Sequence, residues 1–309
     1  VSILQYQALT VTNTARYIFQ DLVTAGDLMS YLEKKNGRLI ENEAAHIIRQ
    51  IIIAVKFLHE RNIVHRDIKP ENILMTTLAV GCRVVLTDFG EAKKIASHQQ
   101  RMVSMVGTAG YHAPYVFGPS TWPLLKCHRE IEMGGPGSKQ GYSKAVDLWS
   151  IGCVTVVLLT GGSPFRDSQT NQYSAILARD CNLTELERSS DWAEISARPK
   201  AFVMKLLLLD ESRRLTAEEA LLDAWFNNDF LKPDFEDLYK RTIRHWQTSI
   251  RKKPIIEFMN AHEVKQFQCS QNVLASERRS QGRRGQIPIE PPVSHFIGSP
   301  FPFLSSWVC

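Results

Sequence analysis

The sequence predicts a mainly α-helical domain, and three observations carry the prediction. Residues 42–61 place Ala45, Ile48, Ile52, Val55 and Leu58 at steps of three and four, the period of one helix face, with Ile51 and Ile53 widening the stripe. Residues 146–159 are apolar almost throughout, as in a helix buried on every side. Thr216 with Glu219 three residues later forms a capping box that opens a further helix over 216–226.

The remaining elements follow in chain order. Residues 15–22 are strand-like and end at Asp21. Gly26 breaks the chain, and Asp27 caps a short helix over 28–35. Residues 65–72 are a polar loop. Short strands are expected at 73–75 and 84–87, and another helix at 202–209. One folded unit therefore covers about 1–230. A basic helical extension is expected at 233–269 and a disordered tail, rich in Ser, Gln, Arg and Pro, at 270–309. The 309 residues are 44% hydrophobic and 22% charged, which excludes wholesale disorder. A net charge of +5 is too weak to imply nucleic acid. The apolar stretch at 154–159 is too short for a bilayer, so no membrane is expected. Six dispersed cysteines without a CxxC pair argue against a disulfide framework or a zinc site. With no basic, apolar leader over 1–20, the expected location is intracellular, nucleus or cytoplasm.

The chemistry concentrates in His65-Arg66-Asp67-Ile68-Lys69-Pro70-Glu71-Asn72, with Asp88-Phe89-Gly90 following sixteen residues after Asn72. Phosphoryl transfer from ATP needs a carboxylate to orient the attacking hydroxyl, a cation on the γ-phosphate and hard oxygen ligands for Mg²⁺. Asp67 can accept the hydroxyl proton, Lys69 can sit on the γ-phosphate, and Asn72 and Asp88 can ligate Mg²⁺.

In type, order and spacing these motifs resemble the eukaryotic serine/threonine protein kinase family. The resemblance covers about residues 15–230 and implies the large, C-terminal lobe of that fold with a stub of the small lobe. Its boundaries would be 1–26 for the hinge and small-lobe remnant and 27–232 for the large lobe. Gly107-Thr108-Ala109-Gly110-Tyr111-His112-Ala113-Pro114 resembles the end of an activation segment, and Lys69 with Thr108 the serine/threonine branch. Asp147-Leu148-Trp149-Ser150-Ile151-Gly152 resembles the central helix whose Asp anchors the catalytic loop. Arg214-Leu215-Thr216 resembles the late motif whose Arg pairs with the Glu of an Ala-Pro-Glu triplet. By the same resemblance Gln20 is the gatekeeper, Val23 offers backbone groups to adenine, Leu74 lies under the adenine ring and Thr87 precedes the metal-binding Asp. His65, Arg66, Phe89 and Gly90 take the family's structural roles. Asp27 and Glu71 align with positions that, when acidic, contact an arginine upstream of the phosphorylated residue, which implies a basophilic kinase. For Asp27 a plain helix cap is the alternative. The style is similar to the calmodulin-dependent-kinase group, with checkpoint kinases nearest. ATP and Mg²⁺ are the implied cofactors.

Three departures qualify the resemblance. The hinge falls near residue 20 and residues 1–14 hold neither glycine nor lysine, so the Gly-rich loop, the strand Lys and the helix Glu are missing. The chain opens at Val1 in mid-pattern, as a truncated chain would, and weak catalysis is expected of it. Ala113-Pro114-Tyr115 stands where the family has Ala-Pro-Glu; removing 115–129 joins Pro114 to Glu130 and restores the family spacing to Asp147. Residues 115–129 therefore read as an insertion, either a retained short intron or a surface loop. Ser97, Ser104 and Thr108 offer sites to an upstream activating kinase, with Arg66 as the phosphate's partner. The basic segment 240–253 carries Trp246 and Ile250, but Pro254 follows, so calmodulin is not expected as a partner. Three functions stand against one another: a kinase acting on proteins with upstream basic residues, a pseudokinase-like binding module, and a nonfunctional fragment.

Overall fold

A computed structural model describes residues 2–4, 6–11, 16–79, 81–97, 100–104, 106–114, 141–227 and 237. The expected insertion at 115–129, the extension at 233–269 and the tail at 270–309 lie outside the described residues, apart from Asp237.

The chain begins with an antiparallel hairpin, β1 (Tyr6–Val11) and β2 (Arg16–Gln20), in which Leu9 faces Ile18. Helix α1 (Leu28–Lys34) starts where Asp27 Oδ1 accepts the Ser30 N–H at 2.8 Å. Helix α2 (Glu41–Glu60) buries the stripe read from the sequence: Ala45, Ile48, Ile52, Val55 and Leu58 are all solvent-free or nearly so. Helix α3 (Val146–Thr160) is buried on every residue from Val146 to Leu159. It explains its own composition, because it separates two cores. On one side lie Ile48, Ile52, Leu148, Ile151, Leu158 and Phe202. On the other, Trp149 stacks on Phe165 with centroids 5.5 Å apart, beside Cys153, Val156, Trp192 and Val203. Helix α3 ends at Gly161 (φ +78°), where a Cβ would lie 2.7 Å from the Gly37 carbonyl oxygen, so only glycine fits.

Two short ladders hold the loops between α2 and α3. Strand β3 (Ile63–Val64) pairs with β6 (Lys93–Lys94), and β4 (Ile73–Met75) pairs with β5 (Val84–Leu86). Residues 65–72, closed by a 3₁₀ turn at Pro70–Asn72, therefore run from β3 to β4, while 87–92 run from β5 to β6. The two pairings bring the two motif loops side by side.

The C-terminal part adds α4 (Ala175–Arg179), α5 (Thr184–Arg188), α6 (Ser190–Ala193), α7 (Ala197–Leu206) and α8 (Ala217–Leu221). Helix α7 starts five residues before the expected 202, with Ser196 at the cap position, and stops at Leu206. Helix α8 is shorter than the expected 216–226. Its capping box is present, but Asp223 Oδ1 accepts the Trp225 N–H and turns the chain, so that Trp225 and Phe226 pack on Phe202. Among the described residues no helix is long and apolar enough to cross a membrane.

Candidate active site

The site is built on Asp147, in the first turn of α3 and wholly buried. Its Oδ2 accepts the His65 N–H at 3.0 Å and a bond from His59 Nε2 at 2.8 Å. Its Oδ1 accepts the Arg66 N–H at 2.8 Å. Burial pushes the carboxyl up, but these donors prevail and hold it below the ordinary carboxylate range. Two consecutive amides aimed at one carboxylate bend the chain sharply, and Arg66 adopts φ +71°. His65, solvent-free, is kept neutral by its burial. Its Nδ1 accepts the Asp67 N–H at 3.3 Å, which leaves Nε2–H to donate to the Thr87 carbonyl at 3.0 Å. The ring also meets Phe89 edge-on, with centroids 4.9 Å apart. His65 and Phe89 thus join the two motif loops.

Asp67 stands at the centre of a polar cluster. Its Oδ1 accepts from Thr108 Oγ1 at 2.6 Å, and its Oδ2 accepts from Asn72 Nδ2 at 3.0 Å and pairs with Lys69 Nζ at 2.9 Å. Lys69 Nζ donates as well to Thr108 Oγ1 at 2.7 Å. Burial raises the Asp67 carboxyl, yet the hydrogen bonds from Thr108, Lys69 and Asn72 outweigh it and keep the group ionised. An ionised carboxylate beside an ammonium and a hydroxyl can orient an incoming hydroxyl and balance a phosphoryl group's charge.

The donor set suits Mg²⁺. Asn72 uses its amide nitrogen on Asp67, both the carbonyl (2.8 Å) and the carboxylate, which leaves its amide oxygen for a hard cation. The Asn72 carbonyl accepts the Thr87 N–H at 2.9 Å, which sets Asp88 next to it in the neighbouring loop. Asp88 is exposed at φ +58°, with one carboxylate oxygen accepting the Gly90 N–H at 3.2 Å. Among the described residues no group of three His, Cys, Asp or Glu could hold a metal by itself. One amide oxygen and one carboxylate fit a cation that keeps its waters and arrives with phosphates.

A family model of the protein kinase domain matches residues 1–226. The chain belongs to the serine/threonine protein kinase family. It is 36% identical over 214 residues to the calcium/calmodulin-dependent protein kinase cmkA of Emericella nidulans, covering 69% of this chain and 46% of the relative. Over 241 residues it is 35% identical to the meiosis-specific serine/threonine-protein kinase MEK1 of Saccharomyces cerevisiae, covering 77% and 47%. Over 224 residues it is 36% identical to the human calcium/calmodulin-dependent protein kinase type IV, covering 72% and 42%. The chain thus spans about half the length of the curated relatives it matches, and it falls in the calmodulin-dependent-kinase group.

The other candidate residues of this kinase fall around the same loops. Leu74, half-buried on β4, forms a backbone bridge with Asp27, and the Met75 N–H donates to the Gly26 carbonyl at 2.8 Å. Both Asp27 oxygens serve the α1 cap, on the Ser30 N–H and Oγ. Glu71 is exposed and close enough to Tyr111, whose phenol burial raises, to raise it further. Val23 is half-buried in the segment between β2 and α1. Arg214 is buried at 4% exposure, donates to the Ala145 carbonyl at 2.9 Å and to the Leu208 carbonyl, and lies over the Trp149 ring.

Several supports were not legible as motifs. His59, at the end of α2, holds Asp147. Tyr142 and Ser104 both meet Arg66: Arg66 Nη1 donates to Ser104 Oγ at 2.5 Å and to the Tyr142 hydroxyl at 3.1 Å, and Tyr142 donates to the Ser104 carbonyl at 2.6 Å. The sequence already offered Ser104 as a phosphate-bearing partner of Arg66, whereas no spacing rule joins Tyr142 to it, 76 positions on.

Proposed function

We propose that this chain transfers the γ-phosphate of ATP to serine or threonine hydroxyls of proteins that carry basic residues upstream. The observation that supports the reading best is the Asp67 cluster, in which carboxylate, Lys69, Thr108 and Asn72 interlock within 3.0 Å. Asp67 would hold the substrate hydroxyl and receive its proton, and Lys69 would balance charge on the phosphoryl group. Asn72 and Asp88 would hold Mg²⁺, which neutralises the phosphates when bound. Val23 and Leu74 would meet adenine. Glu71 and Asp27 would bind a substrate arginine, Asp27 by leaving or sharing its cap. In this reading 1–26 form the hinge and small-lobe remnant and 27–232 the large lobe.

The test uses Mg-ATP and two peptides, one with arginine three residues before serine and one with alanine there, on the chain and on the native full-length protein. The arginine peptide should be preferred, and Asp67→Asn should reduce turnover at least about a hundredfold. Equal turnover by Asp67→Asn would defeat the assignment. Binding of Mg-ATP without transfer, in both forms of the protein, would favour the pseudokinase-like binding module.

Regulation belongs to the same reading. Ser104, hydrogen-bonded to Arg66 beside the catalytic Asp67, is the serine an upstream activating kinase would phosphorylate, because its phosphate would pair with that guanidinium. Mass spectrometry of the native protein should find the phosphate there; its absence under activating conditions counts against this. The names of two relatives reopen calmodulin as a partner, which a calcium-dependent titration of the chain would decide. The free thiols of Cys82, Cys153 and Cys181 agree with a reducing compartment, nucleus or cytoplasm, to be checked by fractionation.

A further inference from the structure

Upstream of Ser104 the activation segment is fastened to the body of the domain by a cluster the catalytic reading does not use. Arg101 Nε and Nη2 both donate to the Gly141 carbonyl, at 3.1 and 2.5 Å, while Nη1 makes a close ion pair with Glu211. The second Glu211 oxygen accepts from Ser143 Oγ at 2.9 Å and from the Ser143 N–H at 3.2 Å. Both charged side chains are largely buried, at 23% and 20% exposure. Beside them Met102 and Tyr142 exchange backbone hydrogen bonds at 2.9 and 2.8 Å. Gly141, at φ +94°, admits this approach only because it has no Cβ; one would lie 2.4 Å from the Met102 carbonyl oxygen.

Arg101 is also the third residue before Ser104. A planar guanidinium at that distance is what paired carboxylates in a basophilic kinase would grip. Here Glu211 and Gly141 already occupy all three of its nitrogens, and Ser104 Oγ is turned onto Arg66. Recognition and modification therefore require the same segment to lift.

We propose that the Arg101–Glu211 pair is a latch that conceals the arginine by which a basophilic protein kinase recognises Ser104, so that phosphorylation of Ser104 waits on its opening. The inference rests on the reading of Ser104 as a phosphorylation site. In the gated step Ser104 Oγ bonds to the γ-phosphorus of ATP, the bond from that phosphorus to the departing ADP breaks, and the hydroxyl proton passes to the modifying kinase's carboxylate.

The test uses the full chain carrying Asp67→Asn, which silences its own transfer, and a purified kinase that requires arginine three residues before serine. Phosphate on Ser104 is followed by mass spectrometry. Adding Glu211→Gln should speed modification about tenfold, toward the rate of a peptide spanning 96–110. Equal rates with and without Glu211→Gln overturn the latch. Failure of the peptide itself to accept phosphate on Ser104 overturns instead the reading of Ser104 as a basophilic site. Hydrogen exchange gives a second measure that needs no kinase: the Met102 and Tyr142 amides should exchange about tenfold faster in Glu211→Gln while α2 and α3 are unchanged. Unchanged Met102 and Tyr142 overturn the latch as well. If α3 loosens equally, the variant has lost its fold, and Arg101→Lys, which keeps the charge but loses the fork, takes its place in this measurement with the same expectation.

Discussion

Replacing Asp147 by asparagine isolates the device that shapes the catalytic loop. The side chain is solvent-free and accepts three hydrogen bonds, from His59 Nε2, His65 N–H and Arg66 N–H, at 2.8, 3.0 and 2.8 Å. Asparagine keeps the shape but only one acceptor. With its oxygen in the Oδ2 position it retains His59 and His65, and its amide nitrogen then confronts the Arg66 N–H, donor against donor. One charged hydrogen bond is lost, two are weakened to neutral ones and a buried amide is left unmade, for a cost of about 2–4 kcal/mol. Against a stability of about 5–15 kcal/mol this is large but survivable, whereas Asp147→Ala, which strands all three donors, approaches global unfolding. Urea unfolding followed by circular dichroism should show the midpoint of Asp147→Asn about 1 M below the wild type. The acid side supplies a second sign. A carboxyl held below its ordinary range stabilises the fold above its unfolded-state value, and that stability is lost as pH falls through its folded value. The asparagine variant should therefore show a shallower loss of stability on acidification. A stability within about 0.5 kcal/mol of the wild type, together with an unchanged acid profile, would refute the claim that Asp147 shapes Arg66.

Three further perturbations test separate parts of the fold. His46 is buried, which lowers it from 6.5 to about 4; above pH 6.5 both states are neutral, and as pH falls the unfolded state takes the proton first. His46 should therefore contribute a drop of roughly 3 kcal/mol in stability between pH 6.5 and 4, and His46→Gln should lessen the slope by that share in a series of urea titrations, leaving the part due to His65 and His112. Gly141→Ala combines a left-handed backbone with a 2.4 Å approach to the Met102 carbonyl oxygen; it should cost about 2–3 kcal/mol and raise hydrogen exchange at Met102 and Tyr142 before anywhere else. Thr216→Ala breaks the reciprocal cap with Glu219 and should lower stability by about 1 kcal/mol in chemical unfolding, with no effect on nucleotide binding by fluorescence titration.

The elements that were legible in the sequence are those whose signal is local. The α2 stripe, the uniformly apolar α3, the Asp27 cap and the Thr216–Glu219 box each lie within one element and came out within one or two residues of their expected bounds, although α8 beyond the box is shorter than read. Helices α4, α5 and α6 have five, five and four residues, too few for a period to show. The misplaced α7 has a physical reason. The run Leu206–Leu209 continues the apolar composition of a helix, but only Leu206 and Leu207 are buried, and Leu207 already leaves the helical region at ψ +65°. Composition records burial there and not conformation.

The candidate site divides along the same line, with consequences for how it works. Asp67, Lys69 and Asn72 lie within six residues, and one loop between β3 and β4 sets their spacing, so the motif alone implies their meeting. What orients them comes from far along the chain: Thr108 reaches Asp67 across 41 positions, and Asp147 reaches Arg66 across 81. Such contacts require folding to be complete before they exist, because closing long loops must be offset by packing elsewhere. The Asp67 carboxylate is therefore held in this geometry only when α3 and the segment carrying Thr108 are both docked. Thr108 and Arg101 belong to the same segment, the first on the catalytic loop and the second on Glu211. If the Arg101–Glu211 pair is the latch proposed above, its opening acts seven positions from Thr108, whose hydroxyl donates to Asp67.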